Sequence, residues 1–325
     1  MLGFVARILI GLAALGCAAS GAAAQDAYPS RQVRMVMPFP PGSSTDIIAR
    51  IMADQLTRKW GQPVVVNNVV GATGNIGAAT VYRAAPDGYT LLFAPPTAYA
   101  TNAALFKNPG YDQEKWSPLG LVATVPYMLA ARGDFPGSNV GDLIDYAKKN
   151  PGKVKYATAG LGSTIQLAAL ELGRRANINL LEVPYRGAAP ALSAVMAGEA
   201  DFLFDVISTS IPMLKGGLVK PLAVGSITRS TFLPDVPTVA EQGLPGFRAV
   251  TWFAMAGPPG MPAALIQKIN DDIRAILAQP DVIERIRGIQ MDPAPSTPAE
   301  TLQWFREEAA LWGRIIRDAG ITPSD

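Results

Sequence analysis

Short apolar runs rich in β-branched residues alternate along the chain with longer segments in which apolar residues recur every three or four positions. The first short run, Val33–Met37, ends in a proline-rich loop, and the helical pattern that follows continues to Trp60. This alternation is typical of an α/β protein with largely parallel strands. Further strands are predicted at 64–66, 91–93, 154–157, 180–183, 201–204 and 221–224, and further helices at 140–149, 164–176, 188–196, 207–215, 263–278, 282–287 and 298–319.

Two longer apolar runs, at 119–131 and 250–256, divide these elements into two α/β modules. The helices after the second run have few strands of their own to cover, so we expect them to pack on the first module. The predicted first lobe is therefore discontinuous, and the second lobe is inserted between two crossing segments. Ligands of open α/β sheets bind in the cleft at the carboxyl ends of the strands. The predicted boundaries are 25–125 plus 249–325 for the first lobe and 126–248 for the second.

The N-terminal segment, residues 1–24, has the pattern of a secretory signal peptide. Arg7 precedes an apolar run of about 12 residues, which is shorter than the roughly 20 that span a membrane, and small residues end at Ala24. We predict cleavage after Ala24, which removes Cys17, the only cysteine of the chain. The residues before Cys17 resemble a lipoprotein signal, but Ala14 stands where such signals have a larger aliphatic residue. Lipid attachment at Cys17 is therefore the disfavoured alternative.

The composition excludes several classes of function. The chain has no histidine, which rules out Ser-His-Asp and Cys-His mechanisms and histidine-containing metal sites. Its 28 basic and 26 acidic residues give a net charge of +2 without a basic cluster, so no nucleic-acid partner is indicated. Adjacent acids such as Asp271 and Asp272 lie on predicted helices and are typical of a solvated face. The sequence therefore implies no metal and no cofactor.

The loop at 38–46 joins the first strand to the first predicted helix. Ser43 is placed to cap this helix, and Asp46, three residues later, is predicted to accept a hydrogen bond from the Ser43 amide. The free amides and positive dipole end of a helix N-terminus form a receptor for a carboxylate or phosphate. Asp46 would repel such an anion unless its side chain is turned back into the cap.

The loop at 158–163 has the same arrangement in the second module, with Ser163 as the cap and Gln166 as its partner. Taken singly, each loop is most simply a helix cap. Because both loops face the predicted cleft, we favour an anion-binding site between them. The alternative, in which these residues only cap their helices, stays open.

Four other residues, Asn75, Asp205, Tyr99 and Tyr185, are candidates for the site. The glycine spacing at 71–77 is G-x-x-G-x-x-G and lacks a Walker lysine, so a nucleotide site is not predicted. Asn75 in this segment either caps a helix or donates to a ligand. Asp205, at the end of a strand, either contacts a ligand or organises hydrogen bonds within its module. Aromatic residues near strand ends, including Tyr99 and Tyr185, are expected to be mostly core, with one or two lining the pocket.

Several motifs together resemble one family. The segment MVMPFPPGSSTDIIAR at 35–50 is followed by GNIG at 74–77, PDGYTL at 86–91, VPYRG at 183–187, LPDVPTVAE at 233–241 and GPPGMP at 257–262. In this order, and through essentially the whole mature chain, they resemble the Bug family, the extracytoplasmic solute-binding proteins of tripartite tricarboxylate transporters. The set is far more specific than any single motif.

The resemblance implies a monomeric periplasmic receptor of two lobes, with the Venus flytrap fold of periplasmic binding proteins and two crossovers between the lobes. Such a receptor closes on a small carboxylate and delivers it to the permease subunits of the transporter in the membrane, without catalysis. The ligand-binding residues that the resemblance implies are Phe39, Pro40, Gly42, Ser43, Ser44, Asp46, Thr158, Gly160, Gly162, Ser163, Thr164 and Asp205. The reading of the residues adds Asn75, Tyr99 and Tyr185 to this set.

The chain departs from the family pattern beside the predicted site. Gly42-Ser43 replaces the usual Gly-Gly pair, and Val70–Gly74 reads V-G-A-T-G where the family has P-G-A-G-G. The added hydroxyls and Tyr99 favour a dicarboxylate, including an aromatic one, as the ligand. Two alternative functions remain: a secreted hydrolase that uses an Asp or Glu pair, and a receptor that presents its ligand to a signalling partner.

Overall fold

The computed structural model of the protein describes residues 28–324, apart from the side chain of Ser44. The predicted signal peptide and Cys17 lie outside the described residues. The strands are β1 (Val33–Met37), β2 (Val64–Asn68), β3 (Thr90–Ala94), β4 (Ser117–Arg132), β5 (Lys155–Thr158), β6 (Leu181–Pro184), β7 (Phe202–Val206), β8 (Val219–Val224), β9 (Val250–Gly257) and β10 (Asp292–Pro293). The helices are α1 (Ser44–Trp60), α2 (Asn75–Tyr82), α3 (Asn102–Leu105), α4 (Val140–Lys149), α5 (Thr164–Ala176), α6 (Ala188–Met196), α7 (Ile207–Lys215), α8 (Ala263–Leu277), α9 (Pro280–Gly288) and α10 (Pro298–Asp318).

The strands of the described residues form one mixed sheet in the order β2-β1-β3-β9-β4-β7-β5-β6, and β8 and β10 also pair with β4. β1 pairs in parallel with β2 and β3, and β5 pairs in parallel with β6 and β7. The pairs that β4 and β9 make with other strands are antiparallel. Two parallel α/β groups, called here the first and second modules, are thus joined by an antiparallel middle.

β4 is the strand that spans both modules. Its residues 117–126 pair with β9, whereas residues 127–132 pair with β7 and β8. Sixteen residues of strand extend about 50 Å. Thirteen of them are buried, because elements pack on both faces of the sheet. This burial explains why the sequence shows a continuous apolar run here rather than an alternation.

The core of the first module lies on both faces of its strands. On one face, Ile48 and Met52 of α1 and Ile273 of α8 pack against the sheet. On the other face, the rings of Phe305 and Trp312 of α10 occupy the same cluster as the buried Leu167 of α5. The C-terminal helices therefore cover the first module, and α5 contacts both modules.

The differences from the predicted elements are small but bear on the site. β2 continues two residues beyond its predicted end at 66, to Asn68. The sequence pattern did not predict the π-helical turn at Thr97–Thr101 or the short helix α3. Within residues 28–324, no helix combines the length and the apolar character that crossing a bilayer requires.

Candidate ligand-binding site

The first turn, residues 38–46, connects β1 to α1. Ser43 is the N-cap of α1, and its Oγ accepts a hydrogen bond from the Asp46 amide at 3.2 Å. The Asp46 carboxylate accepts from the amide of Gly42 at 2.9 Å, and not from the Ser43 amide as predicted. Gly42 has a φ of +81°, which glycine adopts at little cost and which bends the chain back over α1. The Asp46 carboxylate thus takes up one backbone donor of its own turn, the Gly42 amide.

The Asp46 side chain is nearly buried and is held by its neighbours. Arg50, one helical turn later, donates to both carboxylate oxygens at 2.9 and 3.1 Å. Asn68 donates to the same carboxylate at 3.1 Å and to the carbonyl of Phe39 at 2.9 Å. Burial acts to raise the pKa of Asp46, but the hydrogen bonds from Arg50, Gly42 and Asn68 outweigh it and hold the pKa below its ordinary value. The carboxylate is therefore ionised, paired and turned back into the cap.

The second turn, residues 158–166, connects β5 to α5 with the same pattern. Ser163 is the N-cap of α5, and its Oγ accepts from the Gln166 amide at 3.3 Å. Gln166 Oε1 accepts from the amide of Gly162 at 2.6 Å, again one residue earlier than the Ser163 amide that was predicted. The neutral amide of Gln166 therefore does in the second turn what the carboxylate of Asp46 does in the first.

Glu182 of β6 holds the second turn from behind. Gln166 Nε2 donates to both Glu182 oxygens at 2.9 Å, and Thr158 Oγ1 donates to one of them at 2.8 Å. Thr158 is fully buried, and its Oγ1 also accepts from the Gly160 amide at 3.4 Å. Thr158 therefore supports the turn through these bonds instead of facing solvent.

A cavity of about 430 Å³ lies at the N-terminus of α5. Three of the predicted site residues line it, and they all belong to the second turn: Gly162, Ser163 and Thr164. The first four N–H groups of a helix have no partner within the helix, and the Ser163 side chain takes up only that of Gln166, so the N-terminus of α5 brings donors to this cavity. The other lining residues are Thr73, Thr97, Leu105, Phe106, Tyr127, Ala159, Leu161, Ile165, Ile321, Thr322 and Ser324.

The lining of this cavity is uncharged. Among the residues that the structure describes, its polar side chains are hydroxyls only. Burial raises the pKa of Tyr127 to about 12, against the opposing effect of hydrogen bonds with Thr164 and Thr251. The Tyr127 hydroxyl therefore stays protonated at neutral pH beside the start of α5. An anion in this cavity would be bound by backbone amides and hydroxyls rather than by a lysine or arginine.

The first turn lies beside this cavity but does not line it. Phe39, Pro40, Gly42, Ser43 and Asp46 are absent from the lining. The turn packs instead against the 71–74 segment, because a Cβ placed at Gly74 would meet the Pro38 Cβ at 3.4 Å and the Phe39 ring at 3.5 Å. Thr73 of that segment reaches the cavity in its place. The two predicted turns are thus brought to the same region, with only the second at the cavity wall.

Tyr99 is a core residue, and the prediction that it binds ligand is wrong. Its side chain is 1% exposed and stacks on Phe305 with a centroid distance of 4.4 Å. The hydroxyl donates to the carbonyl of Ala254 at 3.1 Å. A ring enclosed on both faces and bonded at its polar end has no surface left for a ligand.

Asp205 acts as a hydrogen-bond acceptor within its own module. It is 1% exposed, and its carboxylate accepts from the hydroxyls of Thr209 and Ser210. Burial raises the pKa of Asp205, and these hydrogen bonds oppose that effect. Of the two alternatives for this acid, the structure favours the intramodule one, because its partners tie β7 to α7.

The remaining predicted residues lie around the turns. Asn75 is buried, and its Oδ1 accepts from Asn102 at 2.7 Å and from the Tyr111 hydroxyl at 3.1 Å, so it neither caps α2 through its side chain nor faces the cavity. The Tyr185 hydroxyl donates to Glu199 at 3.3 Å, and the Tyr185 carbonyl would lie 3.6 Å from a Cβ at Gly160. The Tyr185 amide donates to the Thr158 carbonyl at 2.9 Å, so Tyr185 lies behind the second turn.

Sequence reasoning missed several lining residues. Tyr127 could have been found as the one hydroxyl-bearing aromatic in the apolar run 119–131. Thr97 and Leu105 belong to the turn and short helix that no periodicity predicted. Ile321–Ser324 reach the cavity because the chain there pairs with residues 105–107, with the Ser324 amide donating to the Leu105 carbonyl at 2.9 Å. No sequence signal indicates that pairing.

Carboxylate clusters do not form a metal site in the described part of the chain. Within residues 28–324, no group of three His, Cys, Asp or Glu side chains is arranged to hold a metal ion. The candidate chemistry of the site is therefore carried by amides and hydroxyls.

Three solved structures resemble this chain over nearly its full length. R. palustris Rpa4515 with adipate is 33% identical with a TM-score of 0.78, and the match covers 91% of this chain and 100% of that one. The periplasmic binding protein BugD is 36% identical with a TM-score of 0.74 and the same coverage. MatC from Rhodopseudomonas palustris with bound malate is 32% identical with a TM-score of 0.73, covering 89% of this chain and 100% of that one. The fold is that of two-lobed periplasmic solute-binding proteins.

The sequence defines the family more narrowly. Residues 48–321 match the family described as the tripartite tricarboxylate transporter family receptor. The chain belongs to this family, the TctC or Bug-type receptors, as the motifs at 35–50 and 183–187 indicate. Its relatives are substrate-binding proteins, and two of the similar structures contain a small dicarboxylate.

Proposed function

We propose that this protein is a periplasmic receptor that binds one small carboxylate at the N-terminus of α5 and delivers it to the membrane subunits of a tripartite tricarboxylate transporter. In this proposal, residues 25–125 plus 249–325 form one lobe and residues 126–248 the other. The lobes close by a hinge where β4 changes partners from β9 to β7 and β8. The mature chain is exported by the signal peptide and acts as a monomer.

The observation that carries the proposal is the uncharged cavity at a helix N-terminus. Ser163 and Thr164 bring hydroxyls and main-chain donors to its wall, and Tyr127 adds a protonated hydroxyl. A helix N-terminus favours negative charge, and hydrogen bonds to a charged group contribute about 1.5–3 kcal/mol each. A carboxylate is the simplest ligand that satisfies donors of this kind without a cationic side chain.

A dicarboxylate is the ligand class we propose. Both modules contribute hydroxyls to the lining, with Thr73 from the first module and Ser163 from the second, and apolar side chains such as Leu105 and Ile321 also line the cavity. This arrangement suits a ligand with two polar ends and an apolar body. Adipate and malate, bound to the relatives, are both of this class. The aromatic candidate loses its main support, because Tyr99 is buried in the core.

Binding without turnover is part of the proposal. A glycosidase needs two carboxyl groups on either side of the reacting bond, and the described lining has none. Asp46 is hydrogen-bonded within the first turn, and Glu182 of β6 is hydrogen-bonded to Gln166 of the second turn. The hydrolase alternative therefore lacks the residues that it needs in this cavity.

Calorimetric titration of the mature chain tests the proposal. We expect succinate, adipate and malate to be ranked by affinity with one ligand per chain, and adipamide, which keeps the shape but lacks the charge, not to bind. Ser193→Ala, a substitution of an exposed helical serine whose Oγ contacts only the Ala189 carbonyl of its own helix, serves as the control variant. If no carboxylate binds, or if the ligand is chemically converted during the titration, the proposed function is wrong.

A further inference from the structure

Arg34 is the one charged residue of β1. This strand lies inside the sheet, paired in parallel with β2 on one side and with β3 on the other, and such strands are normally apolar along their whole length. The other four residues of β1 are buried, whereas Arg34 is partly exposed. Because side chains alternate along a strand, Arg34 is on the same face as Val36, which packs in the core cluster of α2 and α10.

The guanidinium of Arg34 lacks a partner within residues 28–324. Its Nε is buried and donates to no acceptor in this part of the chain, and Arg34 forms no ion pair there. Burying an N–H group without an acceptor costs free energy, and the cost is larger when the group is charged. An acceptor that carries negative charge would remove this cost.

A cavity of about 400 Å³, called here the Arg34 cavity, lies beside this side chain. Arg31 also lines it, and Gln32 and Thr90 add an amide and a hydroxyl to the lining. Thr90 of β3 is the register partner of Arg34, so the two side chains are neighbours on one face of the sheet. Val65, the register partner on β2, is 38% exposed, which shows that the helices leave this end of the face open to solvent.

Asp87 is the acid among the described lining residues of the Arg34 cavity, and it is already paired. Its carboxylate accepts from Arg31 at 3.2 Å and from the Tyr89 amide at 3.0 Å. The Arg31 guanidinium carbon lies 3.8 Å from the centroid of the Tyr89 ring, which orients the Arg31 side chain. Since Arg31 offsets the charge of Asp87, the positive charge of Arg34 is left uncompensated in this lining.

The Arg34 cavity is separate from the cavity at the start of α5. Arg34 and Thr90 lie at the N-terminal ends of β1 and β3, whereas Thr73 and Thr97, which line the cavity at α5, follow the carboxyl ends of β2 and β3. The two linings share no residue. A five-residue strand such as β1 extends about 16 Å, so the two cavities lie at opposite ends of the first module's strands.

We infer that the Arg34 cavity binds a small inorganic oxyanion such as phosphate, independently of the carboxylate bound at α5. A guanidinium presents parallel N–H donors that match two oxygens of one oxyanion. Arg34 supplies this pair of donors, and Thr90 and Gln32 are placed to donate to the remaining oxygens. Asp87 repels the anion and limits its affinity. The inference goes beyond the proposed function and does not depend on it.

The test is titration of the mature chain with phosphate at constant ionic strength, followed by calorimetry and by thermal unfolding. Phosphate should raise the melting temperature of the wild type, because a ligand that binds only the folded state stabilises it. Arg34→Met keeps an apolar stem but loses the guanidinium, and it should weaken phosphate binding by about tenfold or more. Asp87→Asn retains an acceptor for the Tyr89 amide, removes the repulsion and releases Arg31, so it should strengthen binding by about threefold.

Arg83→Met is the matched control. Arg83 is an exposed arginine of the same module, its Nη2 contacts the Gly110 carbonyl at 3.5 Å, and it lies outside the Arg34 cavity. This variant removes the same charge and should change phosphate affinity by less than about twofold. If phosphate fails to stabilise the wild type, or stabilises Arg34→Met equally, the inference is overturned. If Arg34→Met does not fold, unchanged or weaker phosphate binding in Asp87→Asn overturns it instead.

Titration of the same proteins with adipate distinguishes the two cavities. Arg34→Met should bind adipate as the wild type does, because Arg34 is remote from the start of α5. A parallel loss of phosphate and adipate binding in this variant would mean one shared site and would overturn the inference. If phosphate behaves as expected and no carboxylate binds to any of the proteins, the inference stands and the proposed function fails.

Discussion

The first and second turns have the same local design and different surroundings. In each, a serine caps the helix, and a side chain three residues later accepts the amide of the preceding glycine. In the first turn that acceptor is the charged Asp46, whereas in the second it is the neutral Gln166. Only the second turn lines the 430 Å³ cavity. A capping pattern therefore specifies a turn, and its neighbours decide whether the turn can receive a ligand.

The difference in charge has an electrostatic consequence. At the first turn the Asp46 carboxylate already compensates the positive end of the helix dipole. Arg50 forms an ion pair with it, with 2.9 Å between Arg50 Nε and Asp46 Oδ2. At the second turn the nearest acid, Glu182, stands behind Gln166 and accepts its amide hydrogens. The α5 N-terminus is thus left without a charge of its own at the cavity wall, which suits it to an incoming anion.

The largest expected effect is on stability and comes from the first turn. Asp46→Ala leaves the Gly42 amide without its acceptor, Arg50 without its partner carboxylate and Asn68 with only the Phe39 carbonyl, so we expect a loss of about 3 kcal/mol in the free energy of unfolding. Urea unfolding of the mature chain measures it. Asp54→Ala is the control, since Asp54 makes a comparable pair with Arg58 at an exposed position and should cost less than about 0.5 kcal/mol. Equal losses in the two variants would contradict the structural role of Asp46.

The next effect separates the two serines by ligand affinity. Ser163→Ala should weaken dicarboxylate binding about tenfold, because it removes a hydroxyl from the cavity wall, whereas Ser43→Ala should change affinity by less than about twofold. Both substitutions remove an N-cap and should lower stability by about 1 kcal/mol. Titration calorimetry and urea unfolding of the same two proteins give both numbers. Equal losses of affinity would mean that the ligand lies between both turns.

The smallest effect is the pH dependence of the first turn. The folded-state pKa of Asp46 is below its ordinary value, so its stabilising contribution is complete above the pKa of the unfolded chain. That contribution disappears as the pH falls through the folded-state pKa. The stability difference between the wild type and Asp46→Asn should therefore be constant above about pH 5 and shrink below about pH 4. Thermal unfolding from pH 7 to pH 3 measures it, and a difference that grows towards acid would refute the assignment.

The elements of the fold were largely predictable from the sequence, and the reason is local. Helices α4, α5, α6 and α7 match their predicted bounds, because each has a clear apolar face and a proline, glycine or polar signal at an end. The two capping serines were found by the same local rules. The amides that donate to the Asp46 and Gln166 side chains were predicted one residue too late in the chain. The positive φ of Gly42 and Gly162 redirects each turn in a way that spacing alone does not specify.

The candidate site was less predictable, because its parts are distant in the sequence. Tyr99 has the composition of a pocket residue, yet Phe305, some two hundred positions later, covers its ring. The cavity wall contains Thr73, Tyr127 and Ile321, which belong to three separate parts of the chain. Burial and proximity of this kind depend on how helices pack across the sheet, and no periodicity carries that information.

The sequence by itself determined the family, the α/β alternation and the two serine-capped helix starts, because these depend on residue order and short-range periodicity. Tertiary structure alone decided that the second turn lines the cavity while the first packs against the 71–74 segment, and that Asp46 and Asp205 are occupied with their own modules. The physical reason is that a polar group is available to a ligand only if no nearer partner has taken its hydrogen bonds.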